Sequence, residues 1–239
     1  MHPGPEDKRP TWLLAGGRTR LGRALAERLA PDHDLVLTSS GGWEGEAWIQ
    51  ALAADHGTHV TTLVWDAQAP DLEARMEADL RGLELDGAVV LAGSFPEQLL
   101  GSWTMAGLEA TWRLNQAFPL LVAQAVAPRL RDGACLQFIV DAALHRPFLK
   151  RLPYSAAKAG LAAVIPGLAR VLAPRVRVVG HALGTALPGD HDDVEALQAA
   201  TLLDRLGTPD DLLRALRYAA DSPYLTGQVL TLDGGWSIK

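Results

Sequence analysis

Short apolar runs alternate with amphipathic segments along nearly the whole chain, and this alternation restricts the fold more than any other feature. Trp12–Ala15, Leu35–Thr38, Val60–Val64, Ala88–Ala92, Cys135–Val140, Val176–Gly180 and Val229–Leu232 read as strands. Between them, Leu21–Leu29, Glu44–Asp55, Asp71–Arg81, Leu108–Leu130, Tyr154–Leu172 and Asp210–Ala220 carry helical spacing. Repeated strand–helix alternation builds a parallel sheet, because each helix supplies the crossover that parallel neighbours require. The strands are almost continuously apolar, as expected when helices cover both sheet faces. The expectation is an α/β chain: one domain over residues 11–239, with a doubly wound parallel sheet of about seven strands. Met1–Pro10, with three prolines and mixed charge, reads as a disordered tail. Pro166 falls inside the Tyr154–Leu172 helix and should remove one backbone bond and kink it.

Charge narrows the partners. A formal net charge of −6 gives no footing for nucleic acid or an anionic membrane. The local basic clusters, Arg129 with Arg131 and Arg170 with Arg175 and Arg177, fall near expected helix ends, where cations complement the helix dipole. The single cysteine, Cys135, lies in an apolar run and reads as a reduced core residue, so no intrachain disulfide forms. No uninterrupted apolar stretch reaches the roughly 18 residues that span a bilayer, and no signal peptide pattern precedes Thr11. A cytoplasmic location is expected. His181 and His191 show no ligand spacing with an acid or a cysteine, so no metal site is expected.

The first strand runs directly into Ala15-Gly16-Gly17-Arg18-Thr19-Arg20-Leu21-Gly22 and then a helix. Glycines there permit a tight turn and close backbone approach to a pyrophosphate seated at the helix N-terminus. A glycine cluster alone is weak; its place after the first strand of an alternating chain strengthens it. The second strand ends Thr38-Ser39-Ser40-Gly41, and no acid appears before Glu44 to accept a ribose 2′-hydroxyl. Arg18 and Arg20 instead suit a 2′-phosphate, which favours NADP(H). Asp66, after the third strand, is placed to accept from an adenine amino group or to cap the next helix.

Asp141, Tyr154 and Lys158 follow the pattern Asp-x12-Tyr-x3-Lys. Tyr and Lys four apart share a helix face. A cationic Lys158 there is expected to lower the Tyr154 pKa toward neutrality and fit the phenol for proton transfer. An ionised Asp141 only accepts hydrogen bonds and suits a substrate that presents N–H groups; a protonated one would donate like a hydroxyl. Asp141 at a strand end would also serve to cap a turn. His145 and Arg146 lie between these residues, at the expected substrate mouth or on a solvated loop.

Together these pieces resemble the short-chain dehydrogenase/reductases from Thr11 to nearly the last residue. The Gly-rich loop, Asp66, Ala92-Gly93, Asn115, Tyr154-x3-Lys158, Arg205-x-Gly207-x-Pro209, Thr226-Gly227-Gln228 and Asp233-Gly234-Gly235 carry the resemblance in order and spacing. Within the family the chain looks most like the pteridine reductases and dihydromonapterin reductases. Arg20 precedes Leu21-Gly22, the fourth strand ends Ala92-Gly93-Ser94-Phe95, and Asp141 stands where most members carry serine. The resemblance implies a Rossmann-type fold and an NADPH-dependent reductase of a dihydropterin or similar fused heterocycle. It implies Tyr154 as general acid, Lys158 on the nicotinamide ribose and Asn115 holding a water beside Lys158. Phe95 would stack on a flat substrate. Gly16, Arg18, Arg20, Leu21, Gly22, Ser39, Ser40, Asp66, Ala92, Gly93 and Gly184 would contact the cofactor.

The chain departs from the family at Ala15 (usually threonine), Val90-Leu91 (usually paired asparagines) and Leu183 (usually proline). Those changes keep two other readings open. One is a carbonyl reductase, for instance of 3-oxoacyl thioesters; the other is a non-catalytic cofactor-binding scaffold or partner subunit. The family also implies a homo-oligomer, a tetramer or a dimer. Contacts would run through the Leu108–Leu130 and Tyr154–Leu172 helices and through the Asp210–Ala220 helix with the last strand. Gly184 to Leu203 carries no readable pattern and is where a mobile lid is expected.

Overall fold

The computed structural model describes residues 9–189 and 192–239. Most of the expected tail, Met1–Lys8, and His191 lie outside the described residues. Arg9 and Pro10 are tied down: Arg9 donates to the Ala30 carbonyl at 3.2 Å, and the Pro10 carbonyl accepts from Asp34 N at 3.0 Å.

The chain builds one seven-stranded, wholly parallel sheet. Its strands are β1 (Thr11–Ala15), β2 (Asp34–Ser39), β3 (Val60–Val64), β4 (Leu85–Val90), β5 (Leu130–Asp141), β6 (Arg177–Leu183) and β7 (Val229–Leu232), in the order β3-β2-β1-β4-β5-β6-β7. The order reverses between β1 and β4. In open α/β sheets the crevice outside the strand carboxyl ends at such a reversal is where ligands bind.

The helices are α1 (Arg20–Leu29), α2 (Ala47–His56), α3 (Leu72–Asp79), α4 (Met105–Trp112), α5 (Phe118–Val126), α6 (Leu152–Leu172), α7 (Val194–Ala199) and α8 (Pro209–Asp221). They cover both faces of the sheet and enclose two main apolar layers. Leu13, Trp65, Leu136 and Phe138 pack with residues of α3, α5 and α6 on one side. Trp12, Leu14, Leu35 and Leu37 pack with Leu25 and Leu29 of α1 and Leu212 and Leu216 of α8 on the other. Each such fully buried Leu or Phe side chain stabilises the fold by about 1.5–3 kcal/mol. Threonines set several helix starts. Thr19 accepts from Gly22 N, Thr104 accepts from Gly107 N, and Thr208 forms a reciprocal capping box with Asp211.

The structure revises the sequence reading at three places. The single helix expected over Leu108–Leu130 is divided. After α4 the backbone widens into a π-helical turn, Arg113–Ala117, before α5, and Leu130 already belongs to β5. Pro119 has no N–H for the Asn115 carbonyl, and Phe118 N instead reaches the Arg113 carbonyl. The second revision concerns the stretch without readable pattern, which contains α7, capped by Asp193 through Ala196 N at 3.0 Å. The third is α6, which continues through Pro166 as one 21-residue helix and is long and apolar enough, by length and composition, to cross a membrane. Its buried face, which includes Tyr154, Lys158, Leu161 and Ile165, packs into the domain.

Candidate active site

The Gly-rich turn sits at the switch point and is packed backbone on backbone. Gly16 holds φ +97°, and a Cβ there would lie 3.0 Å from Ala92 N. A Cβ on Gly22 would fall 2.2 Å from the Gly16 carbonyl oxygen, so the first turn of α1 lies directly against the loop. The first-turn N–H groups of Arg20 and Leu21 have no intrahelical acceptor and point the positive helix end at the crevice.

The family's usual threonine side chain is absent at position 15, and main-chain bonds hold the junction. The Ala15 carbonyl accepts from both Leu91 N (2.8 Å) and Ala92 N (2.9 Å), while Gly16 N donates to Thr38 Oγ1 at 3.2 Å.

A cavity of about 730 Å³ opens beside this turn. Gly16, Arg18, Ser39, Ser40, Asp66, Ala92 and Gly93 line it, seven of the residues expected to touch a cofactor. Asp66 accepts from Gln68 N at 2.9 Å, so it shapes a local turn as well as the cavity wall. The two arginines diverge. Arg18 extends along the end of β2, donating to the Gly42 carbonyl and pairing with Glu46 at 2.8 Å. Arg20 crosses the crevice to the Pro188 carbonyl at 2.9 Å, away from the cavity that Arg18 lines. These residues fit a dinucleotide: a close-approach turn, a free helix N-terminus and a polar β2 end beside one cavity.

Gly93 and Ser94 also line a smaller cleft of about 220 Å³. Phe95, Asp141, Tyr154, Lys158 and Gly184 complete much of its wall. Asp141 ends β5, Tyr154 and Lys158 stand on the buried face of α6, and Gly184 follows β6. The parallel register of β5 on β6 pairs Asp141 with Leu183, which brings these groups to one edge of the sheet.

Tyr154 Oη donates to Asp141 Oδ2 at 2.6 Å, and Ala143 N donates to Asp141 Oδ1 at 2.8 Å. Asp141 therefore caps a turn and engages the phenol at once. Lys158 Nζ donates to the Ile139 carbonyl at 3.1 Å and lies 6.0 Å from the Tyr154 ring centre. Asn115, fully buried in the π-helical turn, accepts from Ser94 N at 3.1 Å and donates to the Thr111 carbonyl at 3.0 Å.

These contacts correct the expected electrostatics. Burial, followed by the charge and hydrogen bond of Asp141, holds the Tyr154 phenol well above its usual range, with Arg151 opposing. Lys158 does not lower it toward neutrality, because its ammonium is turned to a backbone carbonyl and the acceptor nearest the phenol is an acid. Burial also raises the Asp141 carboxyl, against its bonds from Tyr154 and Ala143 and the charge of Lys158. Lys158 is pulled down to about 8 by its burial, with Asp141 opposing.

Phe95 stands at the cleft mouth, 49% exposed, with its ring edge-on to Tyr154 at 4.7 Å. The sequence reading missed its company: Phe148, Trp236 and Arg151. Arg151, one turn before Tyr154, carried a signal in its helical spacing; the two rings come from separate segments and carried none. Among the described residues no three of His, Cys, Asp or Glu gather to hold a metal.

A family model described as "Enoyl-(Acyl carrier protein) reductase" matches residues 18–237. The short-chain dehydrogenase/reductase SDRA of Arabidopsis thaliana is 32% identical over 139 residues, covering 54% of this chain and 55% of that protein. The chain spans about half the length of several such curated relatives. An uncharacterized oxidoreductase of Mycobacterium tuberculosis is 29% identical over 238 residues, covering 93% of this chain and 90% of that one. Among solved structures, a blue fluorescent protein from a metagenomic library, in complex with NADPH, superposes with TM-score 0.87 at 26% identity, covering 96% of this chain and 98% of that one. With the fold, the site and a family match across most of its length, this chain belongs to the short-chain dehydrogenase/reductase family.

Proposed function

We propose that the chain is an NADPH-dependent reductase of a dihydropterin or similar fused heterocycle, with Asp141 and Tyr154 as its proton-handling pair. The observation that supports this reading is the 2.6 Å bond from Tyr154 Oη to Asp141 Oδ2 within a buried cleft. When bound, the reduced nicotinamide supplies the hydride. Tyr154 keeps its proton at neutral pH and is therefore set to act as an acid in the reductive direction. Ionised Asp141, oriented by Ala143 N, accepts from an N–H edge of the ring or receives and passes a proton bound for a ring nitrogen. Lys158 and Asn115 flank the strand end from α6 and the π-helical turn, where they would hold the ribose and a water. Arg18, whose side chain reaches from the β1–α1 turn to the end of β2, would hold the 2′-phosphate in place of Glu46. The NADPH held by the metagenomic neighbour agrees with that choice.

The test is turnover of dihydrobiopterin or dihydromonapterin with NADPH by the protein and by Asp141→Ser. Loss of a positioned acid–base group predicts a fall of about 100-fold or more. Absence of pterin turnover beside clear reduction of acetoacetyl thioesters, undiminished in Asp141→Ser, would establish the second reading, a carbonyl reductase. One observation favours that alternative: burial raises the Asp141 carboxyl, and its protonated form donates to a carbonyl as a serine hydroxyl does. A homo-oligomer, tetramer or dimer, belongs to the same proposal. Exposed Trp112 on α4, Val171 on α6 and Tyr218 on α8 support it, and light scattering tests it.

A further inference from the structure

Beyond the reacting pair, a chain of aromatic rings runs outward from Phe95, which lines the cleft, through Phe148 to Trp236, and carries two guanidinium groups. Ring centres of Phe95 and Phe148 lie 5.3 Å apart, and those of Phe148 and Trp236 also 5.3 Å. The Arg151 guanidinium carbon sits 4.1 Å from the Phe95 ring centre, and that ring centre is 4.7 Å from the one of Tyr154. The guanidinium therefore cannot be farther from the Tyr154 ring centre than the sum of those two distances. Arg146 sits 5.2 Å from the Trp236 ring centre.

Neither arginine pairs with a carboxylate among the described residues, whereas Arg18, Arg28, Arg131 and Arg205 all do. Arg151 donates to the Phe95 carbonyl at 2.6 Å, which fixes the guanidinium over the ring and leaves its other donors turned elsewhere. A guanidinium seated on an aromatic face is positioned but not neutralised, and its free edge matches a carboxylate in two parallel bonds. The adjoining rings lower the local dielectric only in part, because Phe95 is 49% exposed, so the attraction stays that of a partly solvated pair.

We propose that Arg151 and Arg146 form an anion subsite at the cleft mouth, and that the substrate is a flat conjugated ring bearing a carboxylate on the end away from Tyr154. This rests on the reductase reading of the same cleft and adds to it the charge and polarity of the substrate. Arg151 covers one face of Phe95, so the ring stacks beside the guanidinium while its carboxylate takes the free edge. Arg146 and Arg151 are specificity-determining residues in this arrangement; the charge of Arg151 also favours ionisation of Tyr154, so the subsite is tested by binding and not by turnover.

Calorimetry on protein saturated with NADP+ tests it, using 4-formylbenzoate against 4-formylbenzamide and dihydrofolate against dihydrobiopterin. The carboxylate-bearing member of each pair should bind about tenfold more tightly, the lower end for charge-assisted bonds that stay partly solvated. In the Arg146→Gln, Arg151→Gln double variant that ratio should fall to near one, with any loss of the Arg151 stacking contact shared by both members of each pair. Arg146→Gln alone, at an exposed side chain, should lower the ratio with NADP+ affinity unchanged. Equal binding within both pairs, no binding of either carboxylate, or a preference that survives the double variant overturns the proposal. NADPH turnover of neutral dihydrobiopterin is recorded separately, so the anion subsite and the reductase reading fail by different measurements.

Discussion

Replacing Lys158 by Met should make the protein more stable at neutral pH while it destroys activity. Lys158 is 5% exposed, and its pKa falls from 10.5 to about 8 because burial penalises the charged form. At 1.36 kcal/mol per pKa unit that depression is about 3 kcal/mol of instability at pH 7. The sign follows from proton counts: between about pH 8 and 10.5 the unfolded chain holds more protons at this lysine than the folded one, so stability contributed by this group rises with pH across that window. Methionine removes the charge and fills similar space, but it forfeits the bond to the Ile139 carbonyl, which costs about 1 kcal/mol. The net expectation is about 2 kcal/mol of stabilisation at pH 7, shrinking to about zero by pH 10. Urea unfolding of both proteins at pH 7, 8.5 and 10 measures it, and comparing the two cancels titration of Cys135 and other groups that respond alike. Under the proposed role of Lys158 at the nicotinamide ribose, steady-state turnover should fall by at least about 100-fold. A Lys158→Met protein less stable than the parent at pH 7, or a stability difference independent of pH, would refute the assignment of Lys158 as a strained buried cation.

Three further perturbations test other parts of the site and fold. Gly22→Ala places a methyl 2.2 Å from the Gly16 carbonyl oxygen; calorimetry should show NADPH binding weakened at least about tenfold while circular dichroism stays native-like. If Arg18 meets the 2′-phosphate as proposed, Arg18→Gln should weaken NADPH about tenfold and NADH less than twofold; equal losses would remove Arg18 from cofactor selection. Thr208→Ala breaks the capping box of α8 and should cost about 1 kcal/mol in denaturant unfolding, with cofactor affinity unchanged.

All seven strands were recognisable because each contains a short apolar run, although β4 spans Leu85–Val90 where Ala88–Ala92 was expected and β5 begins at Leu130, ahead of the expected Cys135. Val60–Val64 and Val229–Leu232 matched residue for residue. The divided α4–α5 region was not legible, because its helical apolar spacing continues across Pro119 and only the missing N–H distinguishes it. Short α7 relies on one Asp193 cap and few buried contacts, too little pattern for sequence to reveal. At the site, the side chains of Asp141, Tyr154 and Lys158, singled out by their spacing, line one cleft. That spacing misjudged the direction of the Tyr154 shift, because burial is a property of the assembled sheet and helix. Arg20 pointed elsewhere for a similar reason: its partner, the Pro188 carbonyl, lies in a segment whose path the sequence leaves open.

The double acceptance by the Ala15 carbonyl has a consequence for how this family can vary. The seam between β1 and β4, where the dinucleotide crevice opens, is fastened by main-chain groups at Leu91 and Ala92. A main-chain fastening is indifferent to which side chain the gene encodes there, so positions 15, 90 and 91 have latitude to drift while the seam keeps its shape. The unusual residues at these positions therefore leave the seam's main-chain bonds intact.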